Sequence, residues 1–199
     1  MGRRSVHTPE ELRQLILDAA RSIIERDGLV GLSAREVARL IGYSAGTLYN
    51  IFENLDDVLM TLQSDLLVEF VERLRTVKRD PDPYKTVDAL ARCYVDFALE
   101  KRRLWNLLCV HPLPKGKSLP PAFEEAIDFL TTSLVEALEP ILPPMSPAEA
   151  HQRARTLWAG VHGITLVAVG EKVAAMTQDT AQDYVTILTK TFLDGLKSR

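Results

Sequence analysis

The chain has 199 residues, of which 24 are Lys or Arg and 27 are Asp or Glu, for a net charge of −3. With 46% apolar and 26% charged residues it has the composition of a folded globular chain, long enough for one or two domains with a sizeable core. That excludes a disordered segment, a collagen or a disulfide-stapled miniprotein. Charge alone does not single out a nucleic-acid binder, because residues 1–52 hold seven Arg against six acids and the remainder is net acidic.

The longest apolar stretch, Leu157 to Gly170, contains His162 and is too short to span a bilayer, so no membrane partner is expected. The opening Met1-Gly2-Arg3-Arg4-Ser5 runs into Glu10 and Glu11 rather than an apolar core. It does not read as a secretory signal, and a cytoplasmic location is expected. Cys93 and Cys109 form no CxxC and lack zinc-ligand spacing. They read as two buried thiols acting as small apolar residues, with a redox-sensing pair as the alternative. The four histidines, 7, 111, 151 and 162, are scattered. His151 and His162 share a helix face but stand roughly 16 Å apart along it, so no metal or cofactor is expected. No Ser-His-Asp arrangement, Gly-rich phosphate loop, paired-acid motif or HExxH is present, and an enzyme is not expected.

Eleven prolines punctuate the chain, with none between 10 and 80 or between 148 and 199. Proline breaks helix interiors and suits first turns, and no segment alternates with period two, so the pattern predicts an all-α protein. Thr8-Pro9-Glu10-Glu11 is a capping box opening a first helix, with Leu12, Leu15, Ile16, Ala19, Ile23 and Ile24 on one face. Gly28 is placed to end that helix in a left-handed conformation. Ser33-Ala34-Arg35-Glu36 is a second box opening a short helix to about Ile41, with Val37, Ala38 and Ile41 inward. Gly42-Tyr43 turns, Ser44 caps, and a third helix covers about 45–51. Asn54 caps a fourth, reaching about Val77 and burying Val58, Leu59, Leu62, Leu66, Phe70 and Leu74. Further helices are predicted near 84–101, 103–110, 121–138, 147–170 and 180–197, about nine in all, with loops at 111–121 and 140–147.

Ser33 to Phe52, SAREVARLIGYSAGTLYNIF, is the most informative segment. Two short helices can cross steeply where Ala38 offers a small side chain and Gly42 permits the turn, while Val37, Ile41 and Leu48 are placed to bury the junction. The third helix would then expose Ser44, Ala45, Thr47 and Asn50, with Gly46 near its start. These short side chains would allow close approach to base edges in a major groove. Ser33 and Ser44 sit at helix starts, where free amides favour phosphate, and Tyr49 can hydrogen-bond a backbone oxygen. The alternative is a helical hairpin that merely packs.

From about Thr8 to Leu62 the chain resembles the N-terminal domain of the TetR family of transcriptional regulators. The resemblance is carried by Ile16-Leu17-Asp18-Ala19-Ala20, Gly28, Leu32-Ser33, Glu36-Val37-Ala38, Gly42-Tyr43-Ser44, Gly46-Thr47-Leu48-Tyr49 and Phe52. It implies a helix-turn-helix DNA-binding domain over 1–54, with the motif at 33–52, and a helical ligand-binding and dimerisation domain over 55–199. It also implies a homodimer on a palindromic double-stranded operator, most simply a repressor. The DNA-binding residues implied by the matching positions and the exposed face are Ser33, Arg35, Ser44, Ala45, Gly46, Thr47, Tyr49 and Asn50. One departure stands out: where the family commonly carries a phosphate-binding lysine after the phenylalanine, this chain has Leu55, flanked by Glu53, Asp56 and Asp57. Phosphate contacts would fall mainly to Arg3, Arg4, Arg35 and helix ends. A protein-interaction module that has lost DNA binding is the competing reading.

In the remainder, Trp158-Ala159-Gly160-Val161-His162-Gly163 resembles a Trp-x-x-x-His-Gly motif of one branch of the family's C-terminal domains. Ala159 and Gly163 form a small-residue edge for a close helix contact. Helices 147–170 and 180–197, the latter with Tyr184, Ile187, Leu188, Thr191, Phe192 and Gly195, resemble the family's dimer element. An inducer pocket is implied, with candidate walls Cys93, Tyr94, Phe97, Trp105, Cys109, Phe123, Ile127, Trp158, Val161, His162 and Thr165. Their lack of a cation points to a small lipophilic inducer.

Overall fold

The computed structural model describes residues 7–113, 115–170 and 177–197. Among these are nine α-helices and two short 3-10 turns, with no strand. They are α1 (Pro9–Asp27), α2 (Ala34–Ile41), α3 (Ala45–Tyr49), α4 (Leu55–Arg75), α5 (Pro83–Glu100), α6 (Arg102–Val110), α7 (Pro121–Leu138), α8 (Pro147–Val169) and α9 (Gln178–Lys197). The all-α reading and its helix order therefore hold. No helix among the described residues is long and apolar enough to cross a membrane.

Local chemistry sets most boundaries. Thr8 and Ser146 each close a full capping box, their side chains accepting from the amide three residues on while Glu11 and Glu149 accept from the cap amide. Proline occupies the first turn of α1, α5, α7 and α8. Asn54 accepts from the Asp57 amide at 2.9 Å to begin α4. Gly42 closes α2 in the left-handed region (φ 76°, ψ 26°), and the Tyr43 amide reaches back to the Ala38 carbonyl at 3.0 Å.

Several local expectations are corrected. The second capping box is only half formed: Ser33 Oγ accepts from the Glu36 amide, but the Glu36 carboxylate is taken by the Arg39 guanidinium, at 2.9 and 2.6 Å. Gly28 has positive φ but an extended ψ of −177°, so it turns the chain without entering the left-handed helical well. Ser44 begins α3 without a side-chain bond to its amides, and its hydroxyl instead meets Thr47 Oγ1 at 3.0 Å. The third helix stops at Tyr49 and the fourth at Arg75, each about two residues short of expectation.

Packing joins these pieces through one continuous core. α1 packs on α2, α4 and α6, and α2 packs on α3. α4 continues against α5 and α7, while α8 and α9 pack on each other and on α5. The small-residue contact within the chain falls at Gly160, where a Cβ would come within 2.8 Å of Leu188 Cδ2 on α9. Ala159 and Gly163, the small-residue edge expected to admit another helix, are exposed in the single chain.

Candidate functional site

The helix-turn-helix segment is built on buried apolar anchors. Val37 and Leu48 are fully buried and Ala38 is nearly so, while Ile41 is half-buried. Phe52 is buried under the Arg13 guanidinium, which sits 4.4 Å from the ring centroid. Anchoring Leu48 turns the other side of α3 outward. Ser44, Gly46, Tyr49 and Asn50 are exposed, Tyr49 to 52%, and Ala45 and Thr47 are half-buried beside them. Ser33 and Arg35 are exposed at the start of α2. These eight residues thus lie on two adjacent short helices with their polar groups largely accessible.

The charge around this surface is mostly committed. Arg39 pairs with Glu36, whose carboxyl this hydrogen bond holds below the usual carboxylate range. Arg26 pairs with Asp27 at 2.6 Å, and Lys117, from the loop after α6, pairs with Glu53 at 2.6 Å. Arg35 makes no ion pair among the described residues. Arg3 and Arg4 lie outside the described residues.

A second feature lies between α4, α5, α6, α7 and α8: a cavity of about 200 Å³ with an almost wholly apolar lining. Of the residues singled out from sequence, Tyr94, Trp105, Cys109, Phe123, Ile127, Trp158 and His162 line it together. Leu67, Phe70, Leu108, Ala126 and Leu130 complete the wall. Leucine and alanine at helical spacing carry no sign that separates a cavity wall from ordinary core, and Phe70 read as core of the fourth helix, so sequence reading missed them.

Four expected residues sit elsewhere. Phe97 is buried in the aromatic cluster with Phe70 and Trp105. Cys93 is half-buried, 3.9 Å from the Arg73 carbonyl. Val161 lines a small adjoining gap between α5, α7 and α8. Thr165 is buried, and its hydroxyl donates to the Val161 carbonyl at 2.8 Å, within its own helix.

The cavity's polar groups are few. The Tyr94 hydroxyl lies 2.7 Å from His162 Nδ1, and the His162 ring stacks on Trp158 with centroids 5.5 Å apart. Burial pushes the Tyr94 phenol up and the His162 imidazole down, so both are neutral near pH 7. In the tautomer protonated at Nε2, Tyr94 donates to Nδ1. Burial also raises the Cys109 thiol to about 11 and moves the Cys93 thiol in the same direction, which keeps both in the unreactive thiol form. The indole nitrogen of Trp105 is buried without a hydrogen-bond partner, and that of Trp158 has only a weak interaction with the Tyr94 hydroxyl.

α6 ties this cavity to the helix-turn-helix side. It carries Trp105, Leu108 and Cys109 on the cavity wall. From the same helix, Arg103 donates to the Glu25 carbonyl at 3.0 Å and also to that of Arg26, both at the end of α1. The Leu107 carbonyl accepts from Gln63 of α4 at 3.2 Å.

Comparison with known proteins places both halves. Residues 16–60 match the family model for bacterial regulatory proteins of the tetR family, and residues 87–192 match that for the tetracyclin repressor-like C-terminal domain. The HTH-type transcriptional regulator YobS of Bacillus subtilis (strain 168) is 24% identical over 186 residues, covering 92% of each chain. A protein of unknown function from Rhodococcus sp. RHA1 superposes with a TM-score of 0.77 at 26% identity, over 98% of this chain and 100% of that one. FadR of Thermus thermophilus, a TetR-family transcriptional repressor solved with lauroyl-CoA, has a TM-score of 0.61 at 20% identity, over 92% and 94% of the two chains. The family models together span most of the chain and its helices follow the order of the fold, so the protein belongs to the TetR family of DNA-binding transcriptional regulators.

Proposed function

We propose that this protein is a ligand-responsive repressor and not an enzyme, acting in the cytoplasm as a homodimer on a palindromic operator. Residues 1–54 form its DNA-binding domain, and residues 55–199 its regulatory and dimerisation domain. The observation that carries the DNA-binding part is the outward polar face of α3, held by a fully buried Leu48. On this reading Ser44, Ala45, Gly46, Thr47 and Asn50 meet base edges and phosphates in the major groove. Ser33, Arg35 and Tyr49 contact the backbone.

A two-fold operator calls for a two-fold protein. α8 and α9 leave Leu166, Val167, Tyr184 and Ile187 exposed, Ile187 to 62%, beside exposed Ala159 and Gly163. Burying that apolar face against a second copy would form a four-helix bundle. The cavity supports the ligand-responsive part of the reading. A small lipophilic inducer there would contact α6, and α6 holds the end of α1 through Arg103. Ligand would favour a form in which the two reading helices no longer match one DNA turn, so operator and ligand affinities must couple reciprocally.

The test is selection of bound fragments from the host genome with the purified full-length protein. Enrichment of one palindromic sequence, protected by a dimer, is expected. No enriched sequence at low salt would overturn the regulator reading and favour an interaction module.

A further inference from the structure

We propose that the cavity takes a small, uncharged, largely apolar molecule bearing an oxygen acceptor such as a ketone, held by the indole N–H of Trp105. This assignment rests on the reading of the cavity as a ligand site and gives that ligand a chemistry.

The argument begins from the two indole nitrogens. Buried polar atoms in folded proteins nearly always have a hydrogen-bond partner. Here the cavity-lining Trp105 leaves a buried donor without one, while the Trp158 N–H has only a weak interaction with the Tyr94 hydroxyl. Trp105 is only 2% exposed, so its own N–H has little access to bulk solvent. Both rings flank the same polar pair: Tyr94 packs edge-on against Trp105 with centroids 5.1 Å apart, while its partner His162 stacks on Trp158. The Tyr94 hydroxyl gives its proton to His162 and its oxygen faces the Trp158 N–H, so the group left over on this wall is the Trp105 donor. Indole N–H only donates, so the complementary group is an acceptor.

Charge narrows the class further. No Lys, Arg, Asp or Glu lines the cavity, and a carboxylate placed there would lose part of its hydration without gaining a counter-ion. A pure hydrocarbon would fill the space but leave the Trp105 donor unpaired. At about 200 Å³ the cavity is below the roughly 300–1,000 Å³ of drug-sized sites, so the occupant is a small molecule.

The test uses the full-length, ¹⁵N-labelled protein, whose two tryptophans give two indole N–H signals, assigned with Trp105→Phe and Trp158→Phe. Three probes of matched shape are titrated: acetophenone, α-methylstyrene (a methylene in place of the carbonyl oxygen) and benzoate. Acetophenone is expected to bind about tenfold tighter than α-methylstyrene and to move the Trp105 indole proton signal downfield. Benzoate is expected to bind at least about tenfold more weakly than acetophenone. Replacing Trp105 with Phe removes the ketone preference and leaves hydrocarbon binding. The preference is measured first on the unaltered protein, so a variant that fails to fold does not decide the matter. Equal binding of ketone and hydrocarbon, tightest binding of benzoate, or no binding of any probe overturns the assignment. Release of operator DNA is read separately. Ketone binding that leaves the operator bound keeps the ligand chemistry and sinks ligand responsiveness. Release by hydrocarbon and ketone alike at equal affinity does the reverse.

Discussion

The Tyr94 hydroxyl on α5 lies 2.7 Å from Nδ1 of His162 on α8, so a single hydrogen bond joins two helices across the cavity wall. Burial holds the imidazole below its ordinary value of 6.5. The unfolded chain therefore takes a proton at His162 near 6.5, while the folded chain resists it until lower pH. The stability contributed by neutral His162 is full above about pH 6.5 and falls as pH drops through that value toward the folded pKa. Titration of the histidine ring protons by NMR should give a midpoint below 6.5 for His162. In urea unfolding between about pH 7.5 and 5.5, His162→Gln should flatten the pH dependence relative to the parent. A midpoint at or above 6.5 contradicts the burial argument.

Tyr49 stands half-exposed at the end of α3, one residue beyond the buried Leu48. Tyr49→Phe should weaken operator binding by about 1 kcal/mol, the worth of one hydrogen bond, without changing the dimer's size. Gel-shift titration and sedimentation measure the two quantities. Unchanged affinity would remove Tyr49 from the contact surface.

The cations near the reading helices are largely engaged: Arg39 with Glu36, Arg26 with Asp27, Lys117 with Glu53. The position after Phe52, where the family resemblance implies a lysine, is occupied here by Leu55, with acids around it. Few counterions should therefore be released on binding. A plot of log affinity against log salt should have a slope shallower than about −8 per dimer. A slope near −8 or steeper refutes this.

Ile187 is the most exposed apolar side chain of α9 among the described residues. Ile187→Glu should place like charges across the dimer contact and weaken association by about 2 kcal/mol or more, with helix content unchanged because the residue is solvent-facing in one copy. Sedimentation at graded concentrations measures it. An intact dimer would move the interface elsewhere on the surface.

Much of this architecture was legible in the chain because its helix ends are chemically marked. Thr8 with Glu11 predicts a helix start that forms as expected, and Ser146 with Glu149 closes an equivalent box. Ser33 with Glu36 predicts a second box that forms only halfway, because Arg39 lies three residues further along the same helix and competes for the carboxylate. Such a competition depends on side-chain reach and not on spacing. The cavity wall was legible where aromatic residues mark it, as at Tyr94, Trp105, Phe123 and Trp158. Neighbouring Cys93 and Tyr94 lie about 100° apart around α5, and apolar spacing does not fix helix rotation closely enough to choose between them. The structure sends Tyr94 to the cavity and Cys93 toward Arg73. Leu67, Phe70 and Leu130 followed a pattern indistinguishable from ordinary interior packing.

Trp105 and Trp158 are the only tryptophans of the chain, and both border the same small space. Its indole emission therefore comes entirely from that wall, because the reading helices carry tyrosine but no tryptophan. Any occupant that displaces solvent around the rings should alter the colour or brightness of that light, so the unmodified protein serves as its own optical gauge for whatever enters.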